Sequence, residues 1–240
     1  MSKATDIDPI RDLAIVFLYL DVEKTEIPFI IKHPYSDSPY ITIPGEGKPK
    51  IYNIADSPKD LDIWRRHVRN SLERMITARE FVNFITKSFR IAFFKRIRPY
   101  LSSEDLGSLL RQVWTSVEFP NHDPNISKAK FVDFFRKAGI QNICNAEERR
   151  FIGAVSDQKG LVVYRGTATD VRDDIFGLSW TSDIEVARWF AERFGQDGSV
   201  HKARIGSSGV LAFFSGSESE VVVDPKMLVN VEKIEREAGV

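Results

Sequence analysis

The apolar positions Leu61, Trp64, Val68, Leu72 and Met75 recur at steps of three and four, which lays them along one face of a helix. Ser57 offers a cap for it, Pro58 suits the first helical position, and Asp60 stands where a capping-box acid would. A second helical pattern over Arg79 to Ile97 is stopped by Pro99. Ser102 with Asp105 opens a third, carrying Leu106, Leu109, Leu110, Val113, Trp114 and Val117 before Pro120. Ser127 opens one more that ends at Gly139, and Asn145 with Glu148 forms a further capping pair. Upstream, Asp8 to Ile43 reads as a short helix over the apolar run Leu13 to Leu20, then extended pieces broken by Pro28, Pro34 and Pro39. Residues Pro44 to Ala55 read as a loop, and Gly45-Glu46-Gly47-Lys48 lacks the spacing of a phosphate-binding loop.

Beyond Glu148 the texture changes to short β-rich runs separated by Gly and Ser: Leu161 to Tyr164, Leu178 to Thr181, Val200 to Ile205, Val210 to Phe214, Val221 to Val223 and Met227 to Ile234. One helix interrupts them, with Ser182 as cap, Glu185 three residues on, and Ile184, Ala187, Phe190, Ala191 and Phe194 as its inner face. The layout is α+β: residues 1–56 without a legible architecture, a helical lobe over 57–155, and a mostly antiparallel, β-sandwich-like core over 156–240.

Three short pieces of that core carry candidate chemistry: Tyr164-Arg165-Gly166, Ser179-Trp180-Thr181-Ser182, and Glu218-Ser219-Glu220 running into Val221-Val222-Val223. Carboxylates two residues apart fall on one face of a strand, and the valine run pins Glu220 at the lip of a core. A fixed carboxylate there can stabilise positive charge developing on a sugar carbon. Arg165 is the only charge in Leu161 to Gly166, and a guanidinium grips phosphate or ribose oxygens in a bidentate way. Gly166 would admit a ligand close to the backbone. Thr181 and Ser182 would line the same cleft.

In order and strand context these pieces resemble the arginine-serine-glutamate class of ADP-ribosyltransferases. In that class an arginine ends the first core strand, a Ser-Thr-Ser strand follows, and a Glu-x-Glu leads into a late hydrophobic strand. The resemblance covers about the last third of the chain. It implies the class's fold for residues 156–240, NAD as substrate, Glu220 as the catalytic carboxylate, Glu218 as the acceptor-selecting residue two before it, and Arg165 orienting the NAD. The NAD-binding set it implies is Arg165, Gly166, Ser179, Trp180, Thr181 and Ser182, with Phe190 and Phe194 of the following helix. The class's first serine aligns with Trp180, so a hydrogen bond to the carboxylate falls to Ser179 or Thr181, and the indole could instead stack on a nicotinamide or other aromatic ring. Glutamate at 218 goes with protein arginine as acceptor, and Ser215 to Ser219 would be the acceptor-recognition turn. A nucleic-acid base as acceptor, water (NAD hydrolysis), or a non-catalytic NAD-fold binding module are the alternatives. Such enzymes are commonly toxin-like effectors, defence components or phage-borne modifiers, so a neutralising or regulatory protein partner is a further expectation.

Composition trims these readings. Of 240 residues 42% are hydrophobic, enough to fill a core without a staple, and the sole cysteine, Cys144, excludes an internal disulfide. Lys and Arg balance Asp and Glu at 34 each, which argues neither for nucleic acid nor for a membrane surface. The start of the chain lacks a targeting pattern and Leu13 to Leu20 is too short to span a bilayer, so a cytoplasmic protein is expected. Charge is nonetheless uneven: Arg65, Arg66, Arg69, Arg74, Arg79, Lys87, Arg90, Lys95, Arg96 and Arg98 face only Glu73 and Glu80. Interleaved with Trp64, Phe89, Phe93 and Phe94, they could form a nucleic-acid surface, although a solvated helix face that docks on acidic parts of the same protein or on a partner is the favoured reading. His33, His67, His122 and His201 lack metal spacing, Cys144 lacks a base partner, and no metal is expected. No serine-hydrolase elbow or Gly-x-Gly-x-x-Gly turn occurs. Trp114 and Phe119 to Ser127 could border the cleft, although a plain interhelical loop is the favoured reading.

Overall fold

Ser57 does what its position requires: its hydroxyl accepts from the Asp60 N–H, and α2 (Pro58–Leu72) buries Trp64, Val68 and Leu72. The protein is described by a computed structural model that covers residues 3–44, 48–117, 123–155, 159–168, 171–193, 195 and 198–234. It divides into two compact units, Met1–Pro120 and Asn121–Val240.

In the first unit, α1 (Ile7–Leu18) precedes two small antiparallel hairpins. These are β1 (Glu23–Lys24) with β2 (Ile31–Lys32), and β3 (Tyr40–Ile43) with β4 (Lys50–Asn53). After α2 come α3 (Ala78–Phe84), α4 (Lys87–Ile97) and α5 (Ser103–Ser116). Their apolar stripes meet in a core that holds Phe81, Phe93, Phe94 and Trp114. The single helix expected over Arg79 to Ile97 is two helices. Ile85 is extended (ψ 134°), and Thr86 is fixed there by donating its N–H to Pro34 O (2.8 Å) and its hydroxyl to His33 O (3.2 Å). Tertiary hydrogen bonds thus override a continuous helical pattern.

The second unit begins with α6 (Lys128–Ala138), α7 (Ile140–Ile143) and α8 (Ala146–Gly153), so helices read as part of a separate helical lobe belong with the sheet. Gly139 supplies the positive φ (75°) that ends α6. The strands are β5 (Leu161–Thr167), β6 (Ser179–Thr181), β7 (Ser199–Ile205), β8 (Val210–Phe214), β9 (Glu220–Val223) and β10 (Val229–Ile234). A short α9 (Arg172–Ile175) and α10 (Ile184–Glu192) lie between β5 and β7 in the chain, α10 being capped by Asp183 rather than Ser182. The described strands form one antiparallel sheet in the order β10-β7-β5-β6-β9-β8, rather than two packed sheets. Helices α6, α7 and α8 lie against β8, where Phe151 stacks on Phe213 at 3.9 Å.

Helix α10 lies against β5 because two glycines let it. A Cβ on Gly166 would stand 2.0 Å from Ala187 O, and one on Gly198 would stand 2.2 Å from Ala191 O. Among the described residues no helix is long and apolar enough to cross a membrane.

Two outcomes follow. Gly166→Ala forces the helix off the strand and should cost about 3 kcal/mol, read as a lowered denaturant midpoint. In the first unit His33 is fully buried, its ring edge-on to Trp64 at 4.9 Å and its Nδ1 accepting from the Tyr35 N–H. Burial pulls its pKa from 6.5 to about 4, with nearby Arg65 adding and the Leu18 and Leu20 carbonyls offsetting part. The unfolded chain therefore takes up this proton first as pH falls. Stability should drop between pH 6.5 and about 4, by about 3 kcal/mol in total, and His33→Asn should flatten that limb in unfolding curves taken across the range.

Candidate active site

The strand order sets the three motifs side by side. β5 with Arg165, β6 with Thr181 and β9 with Glu220 are neighbours in the sheet, and Tyr164 pairs with Thr181, which pairs with Glu220. Residues directly opposite in adjacent strands share a face, so Tyr164, Thr181 and Glu220 form one row, extended by Phe214 of β8 opposite Glu220. Ser179 stands on the same face two residues before Thr181. Val221, Val222 and Val223 are wholly buried, and Glu220 is half-buried at the start of that strand, a carboxylate held at the edge of a core.

Glu218 is placed differently. The expectation that it shares a strand face with Glu220 is corrected: β9 begins at Glu220, and Ser219 takes a left-handed φ of 43° that interrupts strand alternation. Glu218 sits in the exposed β8–β9 turn. That turn is tied on its downstream side, where the Thr181 hydroxyl donates to Glu218 O (2.7 Å) and the Ser182 N–H donates to Ser219 O (3.2 Å). The Thr181 oxygen also accepts from the Asp183 N–H (3.0 Å), which links the turn to the start of α10.

Alternation turns Arg165 and Trp180 to the opposite face. Arg165 is half-buried; its Nε donates to Asp174 O (2.6 Å) and its Nη1 to Ser179 O, and its guanidinium packs against Gly177, where a Cβ would stand 2.6 Å from Cζ. Burial pulls its pKa down to about 10, offset in part by the negative charges of Asp174 and Glu220. Arg165 is thus a clasp on the loop between β5 and β6 that also lies within electrostatic reach of Glu220.

Two members of the expected NAD set have other work. The space in front of Gly166 is filled by the α10 backbone, so the glycine serves helix packing and not the approach of a dinucleotide. Trp180 is 2% exposed and its Nε1–H donates to Gly177 O (3.0 Å), so its indole is a core group and not a ring platform. Phe190 is half-buried on α10, next to exposed Trp189, with Arg193 over both rings. Phe194 lies outside the described residues, as do Gly45 to Gly47 and the residues from Phe119 to His122.

Elsewhere, of the aromatics interleaved with the basic stretch, Trp64, Phe93 and Phe94 are buried in the first unit's core and Phe89 is half-buried, while Arg66, Arg69, Arg74, Arg79, Lys95 and Arg96 are exposed. Cys144 is buried and donates its thiol to Phe213 O (3.6 Å), as a structural cysteine does. Among the described residues no cluster of His, Cys, Asp and Glu has the arrangement of a metal site. A groove of about 400 Å3 beside Lys202, Arg204, Asn230 and Glu232 follows the bulge between β7 and β10 and includes none of the candidate residues.

Glu148 belongs to the site's framework, although its sequence context reads only as a cap. Its fully buried carboxylate accepts from the Asn145 N–H (2.8 Å) through Oε2 and from the Ser215 N–H (3.1 Å) and hydroxyl (3.3 Å) through Oε1. No family model, curated protein or solved structure matches the chain.

Trp180→Phe keeps the ring but leaves Gly177 O without its donor. It should lower stability by about 1–2 kcal/mol and speed proteolysis in the Gly177 loop, seen by limited digestion beside an unfolding curve.

Proposed function

We propose that residues 156–240 form an ADP-ribosyltransferase core that cleaves NAD and passes ADP-ribose to a macromolecule, protein arginine first. The observation that carries this reading is the cross-strand row Tyr164–Thr181–Glu220 on three adjacent strands, with Arg165 on the opposite face of β5 but within electrostatic reach of Glu220, matching the order in which that class sets its arginine, serine and glutamate strands. Glu220 is assigned to the reacting sugar. As the bond between the ribose C1′ and the nicotinamide nitrogen breaks, its electron pair leaves with nicotinamide and positive charge grows on the ribose. A carboxylate fixed at the core's edge stabilises that charge or holds a ribose hydroxyl. Thr181 stands opposite Glu220 because Trp180 points into the core, but its hydroxyl proton goes to Glu218 O, so the hydrogen bond to the carboxylate expected of the class's first serine falls to Ser179.

Arg165 has Nε and Nη1 committed to backbone carbonyls, so a grip on an NAD phosphate or ribose oxygen falls to Nη2. Ser179, Thr181, Ser182 and Phe190 complete the proposed NAD set, without Gly166 and Trp180. Exposed Glu218 is assigned to the acceptor: it would pair with a guanidinium and take the proton released when that nitrogen attacks C1′. The same site with water in the acceptor's place would be an NAD hydrolase, and with a nucleic-acid base a nucleic-acid modifier.

Glu220→Gln should cut nicotinamide release from NAD by about 100-fold or more while the unfolding midpoint stays put. Chromatography of NAD incubated alone, with agmatine, with protein extract and with RNA reads both cleavage and acceptor class. A wild-type protein that neither cleaves nor binds NAD at millimolar concentration sinks the enzyme reading.

A further inference from the structure

We propose that Glu148 is a positioning residue for acceptor use: its buried carboxylate sets the β8–β9 turn that presents Glu218, an inference that rests on the transferase reading above. The first observation is a contrast within the chain. The same capping box occurs at Thr77 with Glu80 and at Asn145 with Glu148, yet Glu80 is exposed and keeps its bonds to its own cap region, while Glu148 is fully buried. Capping a helix does not require burial, and burying a carboxylate is costly unless its oxygens are satisfied. Oε2 performs the cap at Asn145, and Oε1 crosses to Ser215, 67 residues away, at the upstream foot of the turn.

The second observation is that the Asn145 N–H, the Ser215 N–H and the Ser215 hydroxyl all donate to the carboxylate. Only a group with two acceptor oxygens answers both backbone N–H groups. Glutamine, of the same shape, would set its own N–H2 against one of them.

The third is how the turn is held. Downstream, Thr181 and Ser182 grip the carbonyls of Glu218 and Ser219; upstream, Glu148 grips Ser215; between these anchors the Ser219 N–H closes on Gly216 O (3.0 Å) with Ser219 at φ 43°. Glu218 therefore depends on Glu148 for its place. Glu220 does not, since pairing with Thr181 and Phe214 fixes it inside the ladder. Loosening the upstream anchor should disturb the acceptor carboxylate and spare the sugar carboxylate.

The test is Glu148→Gln in the full chain, read by amide hydrogen exchange and by kinetics with NAD alone and with agmatine as guanidine acceptor. Exchange at Ser217 to Ser219 should rise about tenfold while Val221 to Val223 keep their protection. The KM for agmatine should rise about tenfold, with kcat for NAD hydrolysis within about twofold of wild type. Ser215→Pro, which removes the N–H donor, should reproduce the pattern. Unchanged exchange in the turn overturns the inference. So does a uniform loss of protection and of both activities together, which would make Glu148 an ordinary core group. If the wild-type chain does not cleave NAD, the transferase reading falls, and exchange in the turn still decides whether Glu148 positions it.

Discussion

The ladder from β5 through β6 to β9 is the constraint on which the rest of the second unit depends. Strand β6 is only Ser179–Thr181, and it is held because each side has a partner: Tyr164 on one, the Glu220–Val223 strand on the other. A strand this short cannot persist alone. Its neighbours supply what it lacks. The buried valines of β9 anchor one flank, and Arg165 and Trp180 close the loop leading into it through the carbonyls of Asp174, Ser179 and Gly177. Thr181 and Glu220 take their places from this arrangement, since one residue of register slip would exchange Thr181 for Trp180 on the row that holds Glu220.

Much of this was legible in the sequence where the signal is local. Gly and Ser punctuation separated the six β-rich runs, and the caps at Ser57, Ser102, Ser127 and Asn145 open helices as their side chains suggest. What escaped depends on distant partners. The break at Ile85 is made by Thr86 bonding to His33 and Pro34, which no periodicity within Arg79 to Ile97 encodes. Gly166 is compatible with either a ligand or a helix in front of it, and only the placement of α10 decides. Glu148 looks like a cap because Asn145 is three residues away, whereas Ser215 enters only through the fold.

Trp180 teaches a narrower lesson. Its alignment with a serine of the resembled class suggested a ring near the ligand, but alternation along β6 determines where it goes. Thr181 faces Glu220, so its neighbour must face the core, where an indole is well used if its N–H finds an acceptor. A departure that looks like a damaged site in a linear comparison is, in the sheet, a packing residue with a satisfied donor. The small polar residue facing Glu220 is Thr181, one position later.

The two glutamates illustrate how one short segment can hold two kinds of precision. Glu220 stands in a ladder, where moving it means breaking strand pairing, so its geometry is as stable as the sheet. Glu218 stands in a turn whose shape is set by two side chains, Glu148 and Thr181, and by the Ser182 backbone N–H, and such a turn can be retuned without touching the ladder. If the first carboxylate serves the sugar and the second the acceptor, the chemistry is fixed by the part of the fold that resists change. The choice of acceptor is then carried by the part that tolerates it. Left-handed Ser219 marks the joint between them, one residue wide, where strand alternation stops and the turn begins.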